Sequence, residues 1–155
     1  MFELESKDQD KITIVTKNST VTIDIAEETI DAGLKVGKIE GPGEFEIGDV
    51  SVRGIALKPT AEGAKAPTVY DAEVSGVHIG VIGGNEGGLD DLGMPDILCT
   101  SSTKAVKELQ PKLVVSMGNV DGMVTELKLT ARTEKKLKVK KAEDLPASPE
   151  VVVLN

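Results

Sequence analysis

GPGEFEIGDVSVRGI, residues 41–55, reads as two strands around a turn. The strand-like FEI (45–47) stops at Gly48-Asp49, and VSVRGIAL (50–57) then alternates apolar and polar residues. A period of two marks a strand with one face buried. The same pattern recurs outward from this point. ITIVT (12–16) and TVTIDI (20–25) are joined by Lys17-Asn18-Ser19 as a hairpin, and TVYDAEV (68–74) and VHIGVIG (77–83) by Ser75-Gly76.

Other segments break the pattern. Residues 26–36 (AEETIDAGLKV) read as a weakly helical stretch interrupted by Gly33, and KPTAEGAKAP (58–67) as a surface loop. GGNEGGLDDLGMP (83–95) reads as a second loop, in which Gly93 and Pro95 prevent a helix. PDILCT, SSTKAVKELQP and KLVVSM (95–117) form a strand, a helix and a strand, with Ser101 or Ser102 as the helix cap and Pro111 just past its end. A further helix is expected over about 121–133, with Asp121 as its N-cap. KLKVKK (136–141) and VVVLN (151–155) close the chain as strands around AEDLPASPE. No repeat and no dividing linker occurs, so residues 1–155 read as a single domain. The expected class is α+β: mostly antiparallel strands, one strand–helix–strand unit, and few helices on an outer face of a β-sandwich.

Composition limits the function classes. Phe2, Phe45 and Tyr70 are the only large rings among 155 residues, so the core must come from Val, Ile, Leu and Ala. Single-stranded nucleic acid, which needs aromatic platforms, is thereby disfavoured. The net charge of −8 argues against phosphate backbones and anionic membrane surfaces as partners. The basic run KKLKVKK (135–141) reads as a solvated strand edge whose lysines discourage unwanted pairing. Cys99 is the sole cysteine, which excludes an intrachain disulfide and fits a reducing cytoplasm. The N-terminus has no basic stretch followed by an apolar run, so no secretory signal is read there. The apolar runs, of four or five residues, fall short of a membrane span.

Three segments together resemble the UlaG-like bacterial zinc-dependent hydrolases, a group with the metallo-β-lactamase fold. GPGEFEIGDVSVRGI (41–55) is similar to that group's GPGEYE-then-strand signature. GVHIGVIG (76–83) stands where the group has a strand ending in an HLGD-type motif. PDILCT, KELQPKLVVSMG and LKVKKAEDLPASPEVVVL resemble its strand, helix, strand ending in His, and lysine-rich close. The order and spacing agree over about residues 12–155. The resemblance implies a reduced metallo-β-lactamase-like sandwich.

It also implies what is missing. Hydrolases of this fold hold metal through an HxHxDH loop, a later His, an Asp after the HLG strand and a final His, because two zinc ions need converging imidazoles and carboxylates with one position open to water. Here TVTIDI passes through AEETIDAGLKVGKIE straight to GPGEFE, without HxHxDH. The HLG His falls at Val81, the Asp at Gly84 and the last His at Gly118. His78, the sole histidine, matches a non-ligand position. Asp24 matches the Asp of the group's strand-end "DP", with Ile25 in place of Pro, and its plain role is to satisfy turn amides. Asp24, Glu44, Asp90 and Asp91 have no spacing typical of a dedicated cation loop.

Other chemistry yields to simpler readings. The run Gly83-Gly84-Asn85-Glu86-Gly87-Gly88 lacks a following helix and contains an acidic residue, so it reads as a loop replacing the metal-site rim and not as a phosphate cradle. Cys99 sits in an apolar strand as a small hydrophobe, with no third residue to orient His78 as its base.

The sequence therefore reads as a non-catalytic protein of this fold, with no metal, no cofactor and no catalytic residue, acting structurally or in binding. The alternative is a metal-dependent hydrolase of the superfamily with an atypical site. A small molecule is the expected guest of the vacated cleft, where Asp24, Gly84, Asn85, Gly118 and Asn119 are the candidate contacts. Loss of the segment after TVTIDI is expected to bare a Val- and Ile-bearing sheet face, which a second copy would cover in a symmetric dimer.

Overall fold

Apolar residues enter this chain in two patterns, alternating and continuous, and each pattern has its own place in the structure. The computed structural model describes residues 1–33, 37–59, 62–64 and 66–155, with Lys7 described by its backbone alone. The first strands are β1 (Phe2–Asp8), β2 (Lys11–Val15), β3 (Thr20–Asp24), β4 (Thr29–Asp31) and β5 (Lys38–Glu40). Then follow β6 (Gly43–Ile47), β7 (Val50–Ala56), β8 (Thr68–Val74) and β9 (Val77–Gly83), a 3-10 turn at Leu89–Leu92, and β10 (Ile97–Thr100). Helix α1 (Thr103–Leu109), β11 (Leu113–Ser116), helix α2 (Val120–Leu127), β12 (Ala131–Glu134), β13 (Leu137–Val139) and β14 (Glu150–Leu154) complete the chain.

The strands form a six-stranded sheet, β13-β1-β2-β3-β4-β5, and an eight-stranded sheet, β12-β14-β11-β10-β9-β8-β7-β6. The six-stranded sheet is antiparallel throughout its ladders. The larger sheet is antiparallel from β6 to β9 and parallel from β9 through β10, β11 and β14 to β12. Mostly strand with two helices, the architecture is α+β.

The continuous runs ILC (97–99), LVV (113–115) and VVVL (151–154) lie in the parallel half, where both faces are covered. Ile97, Cys99, Leu113, Val115 and Val152 join Phe2, Leu4, Ile12, Ile14, Val21 and Ile23 of the smaller sheet in one buried cluster. Their neighbours Leu98, Val114 and Val151 face the other way, against Ala105, Val106 and Leu109 of α1, Met123 of α2, and Leu89 and Leu92. Each fully buried Ile, Leu or Val contributes roughly 1.5–3 kcal/mol by leaving water. The alternating runs form β6, β7 and β8. There Val50, Val52, Tyr70, Ala72 and Val74 point into the first cluster, and Ser51, Arg53, Asp71 and Glu73 line the outer face.

The two hairpins read from the sequence are present. Val15 pairs with Thr20 across the 16–19 turn, and Val74 with Val77 across Ser75-Gly76. Ser75 and Gly76 both have positive φ, 53° and 76°, which matches the twist a two-residue hairpin needs.

Four expectations are corrected. The described part of residues 26–36 is a turn followed by β4, not a helix, and residues 34–36 lie outside the described residues. Asp24 captures the amides of Ala26 and Glu27, Glu28 takes φ 57°, and Thr29-Ile30 then pairs with β3. Of the 58–67 loop, residues 60, 61 and 65 also lie outside the description. The helix expected over 121–133 stops at Leu127, because Lys128 turns left-handed (φ 56°) and β12 pairs with β14; its N-cap is Asn119, and Asp121 sits in the first turn. Residues 89–92 make a short 3-10 turn despite Gly93, since Leu89 and Leu92 find a buried face. Finally, the expected bare face of Val and Ile is not seen among the described residues; the outer face of β6–β9, for one, carries Glu44, Glu46, Ser51, Arg53, Asp71, Glu73 and His78. Large exposed hydrophobic residues among those described are Met1, Met94 and Val124. The case for a dimer based on a bare apolar face therefore loses its premise. No described helix is long and apolar enough to cross a membrane.

Tyr70 is fully buried, and its hydroxyl has no hydrogen-bond partner among the described residues. Burial, followed by the nearby Glu28 and Asp24 carboxylates, pushes its phenol up to about 12. An unpaired buried hydroxyl is a net cost, so Tyr70→Phe is expected to raise stability by about 1 kcal/mol. Urea unfolding followed by circular dichroism checks this, and a lower midpoint for the variant would show that the hydroxyl is bonded in solution.

Candidate functional site

Parallel strands deliver their C-terminal ends to one side of a sheet, where loops can converge on a ligand. Here β9, β10 and β11 end at Gly83, Thr100 and Ser116. The Gly83 carbonyl accepts from Thr100 Oγ1 (2.6 Å) and from the Ser101 amide (2.9 Å), so the first two ends are locked together. The Met117 amide donates to the Thr100 carbonyl at 2.9 Å and ties in the third. Ser102, not Ser101, caps α1 by accepting from the Ala105 amide at 3.1 Å. That leaves Ser101 free to meet the loops on either side.

Gly84, Gly118 and Asn119 converge on Ser101. A Cβ at Gly84 would lie 3.3 Å from Ser101 Oγ, and one at Gly118 would lie 3.9 Å from Ser101 Cβ and 3.7 Å from Gln9 Oε1. Asn119 Nδ2 donates to the Ser101 carbonyl at 3.2 Å. Beside them opens a cleft of about 670 Å³, lined by Asp8 and Gln9 of the β1–β2 turn, Ser116, Gly118, Asn119 and Asn155. Ser116 Oγ donates to the Gly118 carbonyl at 2.9 Å and shapes its floor.

The other two candidates lie elsewhere. Asn85 Nδ2 donates back to the Ile82 carbonyl (2.8 Å), and its side borders a separate cavity of about 200 Å³ with Leu57, Lys58 and Pro67. Asp24 Oδ1 accepts from the amides of Ala26 and Glu27, both at 3.0 Å, and its Oδ2 lies 3.9 Å from Lys11 Nζ. Its link to the site is indirect, through Ile25, whose Cγ2 lies 3.1 Å from where a Gly83 Cβ would stand. Asp8, Gln9 and Asn155 were not singled out in the sequence, and Ser101 was read there only as a candidate helix cap. Asp8 with Gln9 and Asn155 reach the cleft from opposite ends of the chain, and no local motif marks them.

The donor chemistry does not suit the zinc pair that the sequence resemblance implies. Amides, hydroxyls and the Asp8 carboxylate line the cleft, and Asp8 Oδ1 is already held by the Asp10 amide at 2.9 Å. Val81 is fully buried between the sheets, and Gly84 and Gly118 carry no side chain. Among the described residues no group of three or more His, Cys, Asp or Glu is placed to hold a metal ion.

His78 and Cys99 lie on opposite faces of the larger sheet. Cys99 is fully buried in the inter-sheet cluster, and burial pushes its thiol far up. His78 lies on the outer face, with Nδ1 3.6 Å from Asp71 Oδ1 and Nε2 3.9 Å from Glu73 Oε2. Arg53 Nη2 sits 3.7 Å from Asp71 Oδ2 and donates to the Asp91 carbonyl at 2.8 Å. This polar ladder floors a second cleft, of about 500 Å³, bounded by Glu44 and Glu46.

Asp71 Oδ1 is buried without a hydrogen-bond partner. Burial holds its carboxyl above the ordinary 3.8, against the opposing pull of His78 and Arg53. From 3.8 up to that raised value the folded chain binds the Asp71 proton more tightly than the unfolded chain. Stability from this group is therefore complete below 3.8 and is lost as pH rises through the raised value. Asp71→Asn removes the ionisation. Its stability relative to the native chain is expected to increase as pH climbs from about 3 to about 7. Urea unfolding across that range measures the difference, and one that stays flat would contradict it.

No protein-family model and no curated protein matches the chain. Among solved structures, it is similar to a Thermotoga maritima protein assigned to the Zn-dependent hydrolases of the metallo-β-lactamase superfamily. The TM-score is 0.69 at 16% identity, over 99% of this chain and 98% of that one. At that identity the likeness is one of fold: this chain has the architecture of a metallo-β-lactamase-superfamily protein.

Proposed function

We propose that the chain is a degenerate relative of the UlaG-like group: a reduced β-sandwich that has kept the fold, lost the metal chemistry, and serves as a structural or binding subunit through self-association. The observation that carries this reading is the state of the two ligand-matching positions, Gly84 and Gly118, and of Val81, which matches the HLG His. Val81 is sealed in the core, and Gly84 and Gly118 carry no donor atom. Hydrolysis by this fold needs three protein ligands and an open coordination position, and the cleft offers amides, hydroxyls and the single Asp8 carboxylate, itself held by the Asp10 amide. Such a lining suits a neutral, hydrogen-bonding guest better than a metal-activated water. Function resides in the site, and the hydrolase chemistry of a structural neighbour does not pass with the fold.

Metal content is the deciding measurement. Untagged protein purified without chelator is expected to carry less than about a tenth of an equivalent of zinc, manganese or iron by mass spectrometry. One or two tightly held equivalents would overturn the proposal and favour a metal-dependent hydrolase with an atypical site.

A further inference from the structure

Among the described residues each of the two sheets ends in two open edges, and the chain gathers these four edges into two flanks. β5 closes the six-stranded sheet and β6 the eight-stranded one, and residues 41 and 42 alone separate them. On the other side β12 closes the larger sheet and β13 the smaller, separated only by Lys135 and Lys136. An open edge presents unpaired amides and carbonyls that can extend a ladder into another chain.

The flanks carry opposite charge. Glu40, Glu44 and Glu46 mark the β5–β6 flank, and none of them makes an ion pair among the described residues. Among the described residues of these two strands the one cation is Lys38, already 3.8 Å from Glu27. The β12–β13 flank carries Arg132, Lys135, Lys136, Lys138, Lys140 and Lys141 against the single carboxylate of Glu134. Arg132 is held by Glu134 and Glu150, Lys136 by Glu3 and Glu5, and Lys138 loosely by Glu3 at 4.0 Å, while Lys135, Lys140 and Lys141 are exposed and make no ion pair among the described residues.

The pleats also match. Along β6, Phe45 and Ile47 belong to the inter-sheet cluster, and Glu44 and Glu46 point outward. Along β13, Leu137 and Val139 belong to that cluster, with exposed Lys138 between them and exposed Lys140 beyond. Set side by side, the two edges would place apolar residues against apolar ones and glutamates against lysines. Identical flanks cannot meet in this way, because like charges directly opposite each other repel.

We infer that copies of this chain associate flank to flank, the lysine-rich β12–β13 flank of one on the glutamate-rich β5–β6 flank of the next. The contact is heterologous, so it leads to a ring or a filament and not to a two-fold dimer. This deepens the self-association part of the function proposed above and can fail without it.

The test is sedimentation velocity on the full chain at about 50 μM, in about 50 mM and about 500 mM salt. Oligomers are expected at low salt, with association weakened about tenfold or more at high salt. Glu44→Lys with Glu46→Lys makes both flanks basic, and Lys138→Glu with Lys140→Glu makes β13 acidic. Each double variant alone is expected to be monomeric, and an equimolar mixture is expected to recover the oligomers. Thermal melts confirm that each variant is folded, and the salt series on the native chain stands without them. A native chain that is monomeric at low salt overturns the inference. Oligomers that survive both salt and charge reversal overturn the flank assignment while leaving self-association intact.

Discussion

The pairing of β9 with β10 is the constraint on which the rest of the structure depends. β9 is the strand where the larger sheet changes from antiparallel to parallel, and beyond His78 it is buried on both faces. Gly80 makes that possible on the helix side. A Cβ there would stand 3.0 Å from Leu92 Cδ2 and 3.1 Å from Leu98 Cδ1, so the turn at Leu89–Leu92 can close on the strand only over a bare backbone. At its end the register with β10 shifts by one residue, bringing Thr100 opposite Gly83. The Gly83 carbonyl then takes two donors, which fixes where both loops depart and where the cleft begins. Gly83 is left-handed there, with φ 57°, a conformation that suits glycine.

Under the proposed reading, this division of labour would let a fold persist without the chemistry its relatives perform. The two apolar clusters are built from strand and helix interiors. Metal ligands of this fold would come from loops and strand ends, which add little to either cluster. An imidazole at Val81 would have to be buried in the inter-sheet core with its nitrogens satisfied, whereas valine adds apolar contact there. A side chain at Gly84 would crowd Ser101 Oγ at 3.3 Å. Packing at these positions favours the residues present, and a strong likeness of fold at 16% identity is compatible with a quite different site.

Much of the fold was legible because side-chain periodicity reports burial. Alternation in VSVRGIAL and TVYDAEV marked strands with one polar face, and the runs at 97–99 and 113–115 were read as strands, whose cover on both faces is seen only in the structure. β12 was not legible, since Ala131, Arg132 and Thr133 are exposed and leave no apolar period; pairing with β14 alone makes it a strand. β4 was hidden because AEETIDA has a helix-like composition, and the Asp24 turn decides otherwise. Of the site, the positions after each strand end were legible through the resemblance, and three of them meet. Ser101 and Gln9 were not, because hydrogen bonding across strand ends and the return of the β1–β2 turn have no signature in local sequence. Asn85 parted from the cleft for a local reason, the bond of its amide to Ile82.

The charges on the two flanks have two uses that are easily confused. A lysine on an edge strand disfavours pairing because it resists desolvation and repels its own kind. Glutamates on another edge do the same among themselves. Placed on one molecule, the two devices close every like pairing and leave the unlike pairing open. Exposed ion pairs contribute only about 0–1 kcal/mol each, so they cannot hold copies together unaided. Strength would have to come from the backbone ladder and from the strip of Phe45, Ile47, Leu137 and Val139 that the pleat aligns. The charges then choose which edges meet and how fast, and the apolar strip and the ladder decide how long they stay together.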